Sequence, residues 1–182
     1  RDFGVRPVTA VLNDPPSYPE ALVDALAARG VKYLLVGANM AFTRPLPRAL
    51  VRRPFWWESA RGARLLTYID PDGYPAAYLR WGIDPDCARF FDAKRFPRDV
   101  GPLETMENGV RAMLAETPGD YGAVVIQHAF DNWDAGGARK VARFARQWNE
   151  AGRRPRIVVG GPEAYFREIE SKSRKALRVV RG

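Results

Sequence analysis

The sequence predicts an α/β fold of parallel-sheet βα units with an inserted β-hairpin, and three observations carry the prediction. Short apolar runs, the mark of strands buried on both faces, recur at residues 6–12, 32–36, 121–127 and 156–159. Stretches of helical period lie between and after them, at 17–28, 103–115, 138–151 and 162–169. Gly and Pro stand at the junctions. Strand, crossover helix and strand again imply parallel pairing.

The elements follow in order. The run RPVTAVL is β-branched and apolar, and a Pro-rich turn leads from it into the first helix, which Gly30 closes. KYLLV is the second strand and ends at Gly37. Residues 38–54 lack a period and hold three prolines, so they form a long surface loop of the kind that often carries function. Residues 55–59 and 64–69 flank a short link containing Gly62 and make an aromatic-rich hairpin. DPDGY at 70–74 is turn chemistry, and 76–91 is helical with an interruption near 82–85. YGAVVIQ is the third parallel strand, followed by the polar loop HAFDNWDAGG. The fourth strand lies at 156–159, and Pro162 opens the last helix at a tolerated first-turn position.

A chain of 182 residues supports one core, so the prediction is a single α/β domain over 1–170 with a basic tail over 171–182. Hydrophobic residues at 46% and charged residues at 27% exclude disordered, collagenous and disulfide-scaffold classes. No apolar run is long enough for a membrane span. The lone Cys87 excludes an intrachain disulfide and a zinc knuckle. The chain opens at Arg1 without a signal-peptide layout, so a mature, an excised and a fragmentary chain all stay open. No Asn-x-Ser/Thr sequon occurs, which speaks against a glycosylated secreted protein and slightly toward the cytoplasm.

The net charge of +8 raises an acidic polymer or a nucleic acid as partner. Arginines such as Arg29, Arg64, Arg89 and Arg143 are scattered over every element, which speaks against nucleic acid. The exception is the end of the chain, where Lys172, Arg174, Lys175, Arg178 and Arg181 form a solvated helix end or a loose tail. A basic nucleic-acid-binding domain would use that run.

In open parallel sheets ligands bind beyond the carboxyl ends of the strands. The polar residues gather at those positions. Asn13 and Asp14 follow the first strand, Asn39 the second, and His128, Asp131, Asn132 and Asp134 the third. Trp56, Trp57 and Tyr74 are candidate apolar platforms for a ligand.

The segments VLNDPPSYPEALVDALAARGVKYLLVGAN, RPFWWESARGARLLTYI, VVIQHAFDNWDAGG and RQWNEAGRRPRIVVGGPEAYF resemble the later half of the N-terminal catalytic domain of glycoside hydrolase family 38, the α-mannosidases and their relatives. The likeness spans residues 6–170 and rests on the order and spacing of segments. It implies a retaining, zinc-dependent hydrolase in an incomplete seven-stranded (β/α) barrel acting on a carbohydrate substrate. It places the nucleophile, which also touches the zinc, at Asp14 and the general acid at Asp131. Asn39, Trp56, His128, Asn132 and Trp133 are the implied substrate contacts.

The departures from the family pattern are as informative. Around Asp14 only the Asp-Pro of the family's Trp-x-x-Asp-Pro-Phe-Gly-His type run is kept. The His-x-Asp motif and further His that complete the family's metal shell are absent, and Asp14 with His128 cannot build a site with three protein ligands. Four parallel strands also fall short of a closed barrel, so a missing barrel segment or a second chain is the expected partner. A carbohydrate-binding module without turnover is the alternative.

Each candidate also has a structural reading. Asp14 before two prolines is a natural turn former or helix cap, and Asp131 with Asn132 could cap the helix near residue 138. His128 at a strand end is commonly a hydrogen-bonded structural histidine. Asn39 could brace its own loop. Trp56 and Trp57 point to opposite faces of a strand, so one of them belongs to the core.

Overall fold

The computed structural model describes residues 4–15, 17–39, 47–81, 102–118, 121–129, 136–173 and 177–182. Its contacts group into two compact units. The first comprises Arg1–Tyr74, Glu116–Val125 and Pro162–Gly182, and the second Pro75–Ala115 and Ile126–Gly161.

The first unit holds a five-stranded, mostly parallel sheet. Strands β1 (Thr9–Asn13), β2 (Tyr33–Gly37), β3 (Phe55–Glu58), β4 (Arg64–Asp70) and β5 (Arg178–Arg181) lie in the order β1-β2-β4-β3-β5. β1, β2 and β4 run parallel, β3 is antiparallel to β4, and β5 is parallel to β3. Among the described residues β1 and β5 are the sheet's two edges.

Two apolar layers cover the sheet. Along β2, Leu34 and Val36 join Val23 of α1 (Ala21–Ala27), Phe55, Trp57 and Leu65 on one face. Tyr33 and Leu35 join Tyr68, Tyr165, Phe166 and Ile169 on the other, under α5 (Pro162–Lys172). That alternation explains why KYLLV carries no polar side: both faces are buried. Phe166 is fully buried and stacks on Tyr33 with ring centroids 5.1 Å apart. Its burial alone contributes about 1.5–3 kcal/mol. The β3–β4 hairpin turns through Gly62 at φ +84°, and the Ser59 hydroxyl donates to Asp24 at 2.6 Å, tying the hairpin to α1.

The second unit is helical. α2 (Ala76–Trp81), α3 (Pro102–Glu116, ending at the unit boundary) and α4 (Gly136–Glu150) contribute Trp81, Met106, Val110, Val141, Phe144 and Trp148 to one cluster, which Ile126 and Ile157 flank. Gly109 permits the crossing of α2 and α3, since a Cβ there would stand 2.2 Å from the Arg80 carbonyl oxygen. No helix of the described residues is long and apolar enough to cross a membrane.

The α/β class and the hairpin agree with the sequence expectation, but three elements need correction. Among the described residues, 121–127 and 156–159 do not pair into a sheet. Their side chains still pack, Ala123 and Val125 into the layer under α5 and Ile157 against the helical cluster, but no backbone among the described residues completes a ladder with them. The third parallel place is instead taken by β4, the second strand of the hairpin. The end of the chain is not loose: residues 178–181 pair with β3, and Arg181 bonds Glu58 at 2.7 Å. The expected continuation of the helix past Trp81 lies outside the described residues.

Candidate functional site

The parallel strands deliver their carboxyl ends to one rim. Asn13 of β1 stands beside Gly37 of β2, and Gly37 beside Asp70 of β4. Neighbouring strands are about 4.8 Å apart, so three chain ends and the residues that follow them converge within roughly 10 Å.

Asp14 is the first residue past β1. Its N–H donates to the Gly37 carbonyl at 2.9 Å, which extends the ladder by one bond and forces the backbone into the left-handed region at φ 71°. Asp tolerates that region better than most residues, at a cost of order 1 kcal/mol. The side chain is exposed, and its Oδ1 accepts a hydrogen bond from Asn39 Nδ2 at 2.6 Å. Asn39 thus fixes the direction of the carboxylate. Gly37 makes the close packing possible, because a Cβ there would fall 2.5 Å from Tyr74 Cβ and 2.7 Å from Asn13 Oδ1. The half-buried Tyr18 is pushed up to about 12 by burial first and by the negative charge of Asp14 second. It therefore keeps its proton at neutral pH. Its buried hydroxyl has no hydrogen-bond partner among the described residues.

Behind this rim lies a buried ionic cluster. Arg52, itself left-handed at φ 51° and 3% exposed, pairs with the fully buried Asp72. Its Nε donates to Glu116 Oε2 at 3.0 Å. Asp70 Oδ1 accepts the Asp72 N–H at 3.0 Å, closing the Asp-Pro-Asp turn on itself. Tyr68 is raised far above its usual range by burial and then by Asp70, an effect that Arg52 opposes through its charge and a hydrogen bond. Tyr165 is raised for the same first reason. The buried Arg52 and Asp72 face each other as opposite charges, the condition under which ions survive in an interior.

The sequence candidates separate on this geometry. Asp14 and Asn39 are brought together. Trp56 is not at the rim: it pairs with Leu66, four residues back from Asp70, and packs half-buried into the layer under α5. At about 3.3 Å per residue that sets it roughly 13 Å along the strand. Its neighbour Trp57 is the buried one, on the α1 face. His128 belongs to the second unit, half-buried, and burial lowers its pKa so that it is neutral at pH 7. Asp131, Asn132 and Trp133 lie outside the described residues.

Among the described residues no group of three His, Cys, Asp or Glu side chains could hold a metal ion. Among the described residues Asp14 has no companions from which a zinc site could be built. Sequence reasoning missed Arg52, Asp70, Asp72 and Tyr18. Two aspartates directly after an apolar strand were a usable signal, hidden because DPDG also satisfies every demand of a turn. For Arg52 the sequence carried no signal, since arginine is seldom fully buried. No family model, curated protein or solved structure matches this chain.

Proposed function

We propose that this chain is part of a glycoside hydrolase of the α-mannosidase type, with Asp14 as the nucleophile of a retaining mechanism. One observation supports the reading most. Asp14 is an exposed carboxylate at the carboxyl end of a parallel strand, held in a costly backbone conformation and aimed by Asn39. Strain of this kind collects at functional sites. The Asp14 carboxylate attacks the anomeric carbon and forms a glycosyl ester as the glycosidic C–O bond breaks. Asp131 gives its proton to the leaving oxygen, and water later hydrolyses the ester. No step is routed through zinc.

On this reading the sheet is part of an incomplete (β/α) barrel. The free edge at β1, where Val11 is 46% exposed, is where a further barrel segment or a second chain would pair.

The test is hydrolysis of an aryl α-mannoside by the polypeptide that carries this chain, with and without Asp14→Asn. Asparagine accepts the left-handed backbone and can still accept the Asn39 hydrogen bond, so the substitution removes the charge alone. Loss of turnover together with loss of a mechanism-trapped ester on Asp14 is expected. Undiminished turnover would end the assignment. A second reading follows from the absence of further metal donors beside Asp14 among the described residues: a glycan-binding module without turnover, which predicts chelator-insensitive sugar binding and no hydrolysis.

A further inference from the structure

Helix α4 divides its residues sharply. Val141, Phe144, Ala145 and Trp148 are buried, while Arg139, Arg143 and Arg146 are exposed. Their spacing of four and three residues puts the arginines in one stripe about 10 Å long. None of the three has an ion-pair or hydrogen-bond partner among the described residues. Glu150, which closes the stripe, forms no ion pair with Arg146. Arg154 and Arg156, in the exposed segment beyond the helix, are likewise unpaired among the described residues.

The contrast with the chain's other basic run gives the stripe its meaning. Lys172 pairs with Glu168, and Arg181 with Glu58. Two of the three described basic residues at the end of the chain, Lys172 and Arg181, thus have carboxylate partners, whereas the three arginines of α4 do not. A row of like charges at i, i+4 and i+7 repels itself, so a folded helix that keeps it gains from an external anion. Arginine also presents a planar fork suited to carboxylates and sulfates.

We infer that the Arg139–Arg143–Arg146 stripe binds an anionic glycan, a polymer bearing carboxylate or sulfate groups. Among the described side chains of α4 the other exposed ones, Ala142, Gln147 and Glu150, supply no aromatic ring on which bases could stack, and Gln147 offers an amide to sugar hydroxyls. The choice of a glycan also rests on the hydrolase reading, while the binding of a polyanion by the stripe does not.

The experiment is fluorescence anisotropy with labelled oligogalacturonate, a heparin oligosaccharide, neutral mannan and single-stranded DNA of matched charge, on the full chain. Binding of either acidic glycan should weaken about tenfold or more between about 50 and about 200 mM salt. The triple variant Arg139→Gln, Arg143→Gln, Arg146→Gln should lose a further tenfold or so at low salt and flatten the salt slope. Arg143→Glu, a single exposed change, carries the test if the triple variant misfolds. Preference for the galacturonate or the heparin arm identifies the carboxylate or the sulfate as the anion. Absence of acidic-glycan binding, or binding untouched by both variants, overturns the inference. Tighter binding of DNA than of either glycan overturns the choice of ligand. A failure of mannoside hydrolysis leaves all these outcomes readable, so the two claims fail separately.

Discussion

The two units satisfy extended backbone by different means. In the first, β2 has a strand on each side, and its peptide groups are met by β1 and β4 in continuous register from Tyr33 to Gly37. In the second, residues 155–159 have no neighbouring strand among the described residues, and one side chain serves them: Asn149 Oδ1 accepts the Ile157 N–H at 2.9 Å while its Nδ2 donates to the Ile157 carbonyl at 2.7 Å. Trp148 Nε1 adds a bond to the Pro155 carbonyl at 2.7 Å. Beyond that clasp Val158 and Val159 are 70% and 58% exposed. The sequences of the two extended segments are equally strand-like, so the difference lies in their neighbours. A ladder is a property of pairs.

The same contrast runs through the charges. The first unit buries Arg52 against carboxylates, and in the second the three arginines of the α4 stripe stay in water. Removing a charge should therefore be costly in one place and nearly free in the other. Arg52→Leu strips the compensating cation from the fully buried Asp72 and should destabilise the fold by about 3–5 kcal/mol in denaturant titration. Adding Asp72→Leu to it should recover part of that loss, because both charges then go. A cost below about 1 kcal/mol for Arg52→Leu would mean that water or another cation already serves Asp72.

The clasp is the next weakest point. Asn149→Ala removes both bonds to Ile157 and should cost about 1–2 kcal/mol. Hydrogen exchange at the Ile157 amide should accelerate. Asn149→Asp sharpens the comparison, since a carboxylate can accept from Ile157 N–H but cannot donate to its carbonyl. Wild-type exchange rates in Asn149→Ala would show that the segment is held by its side-chain packing instead.

What the sequence could disclose follows from the same physics. Period and punctuation are local, and they located β1, β2, the hairpin, α1, α3, α4, α5 and the start of α2 within a few residues. Asp14 and Asn39 were legible because each directly follows a strand, where topology alone puts polar residues at a common rim. Pairing is not local. Nothing in YGAVVIQ or RIVV distinguishes a strand with neighbours from one without, and nothing in residues 171–182 revealed that RVVR would find β3. Arg52 stayed invisible because its burial is decided by Asp72 and Glu116, residues 20 and 64 positions away.

The smallest effect concerns the chain's one histidine. His128 is half-buried, and burial disfavours its charged form, so its pKa in the fold lies below the unfolded value. The sign follows from linkage. Below about pH 6.5 the unfolded chain takes up the proton first, which favours unfolding. Stability should therefore be full above that pH and decline from there until the folded-state pKa is reached. Carboxylates titrate lower, so the difference between the wild type and His128→Gln isolates the histidine when thermal unfolding is followed across that window. The variant should lose less stability on acidification than the wild type. The imidazole resonance gives a direct readout: a titration midpoint at or above about 6.5 in the folded protein would reverse the sign and place an anion beside the ring.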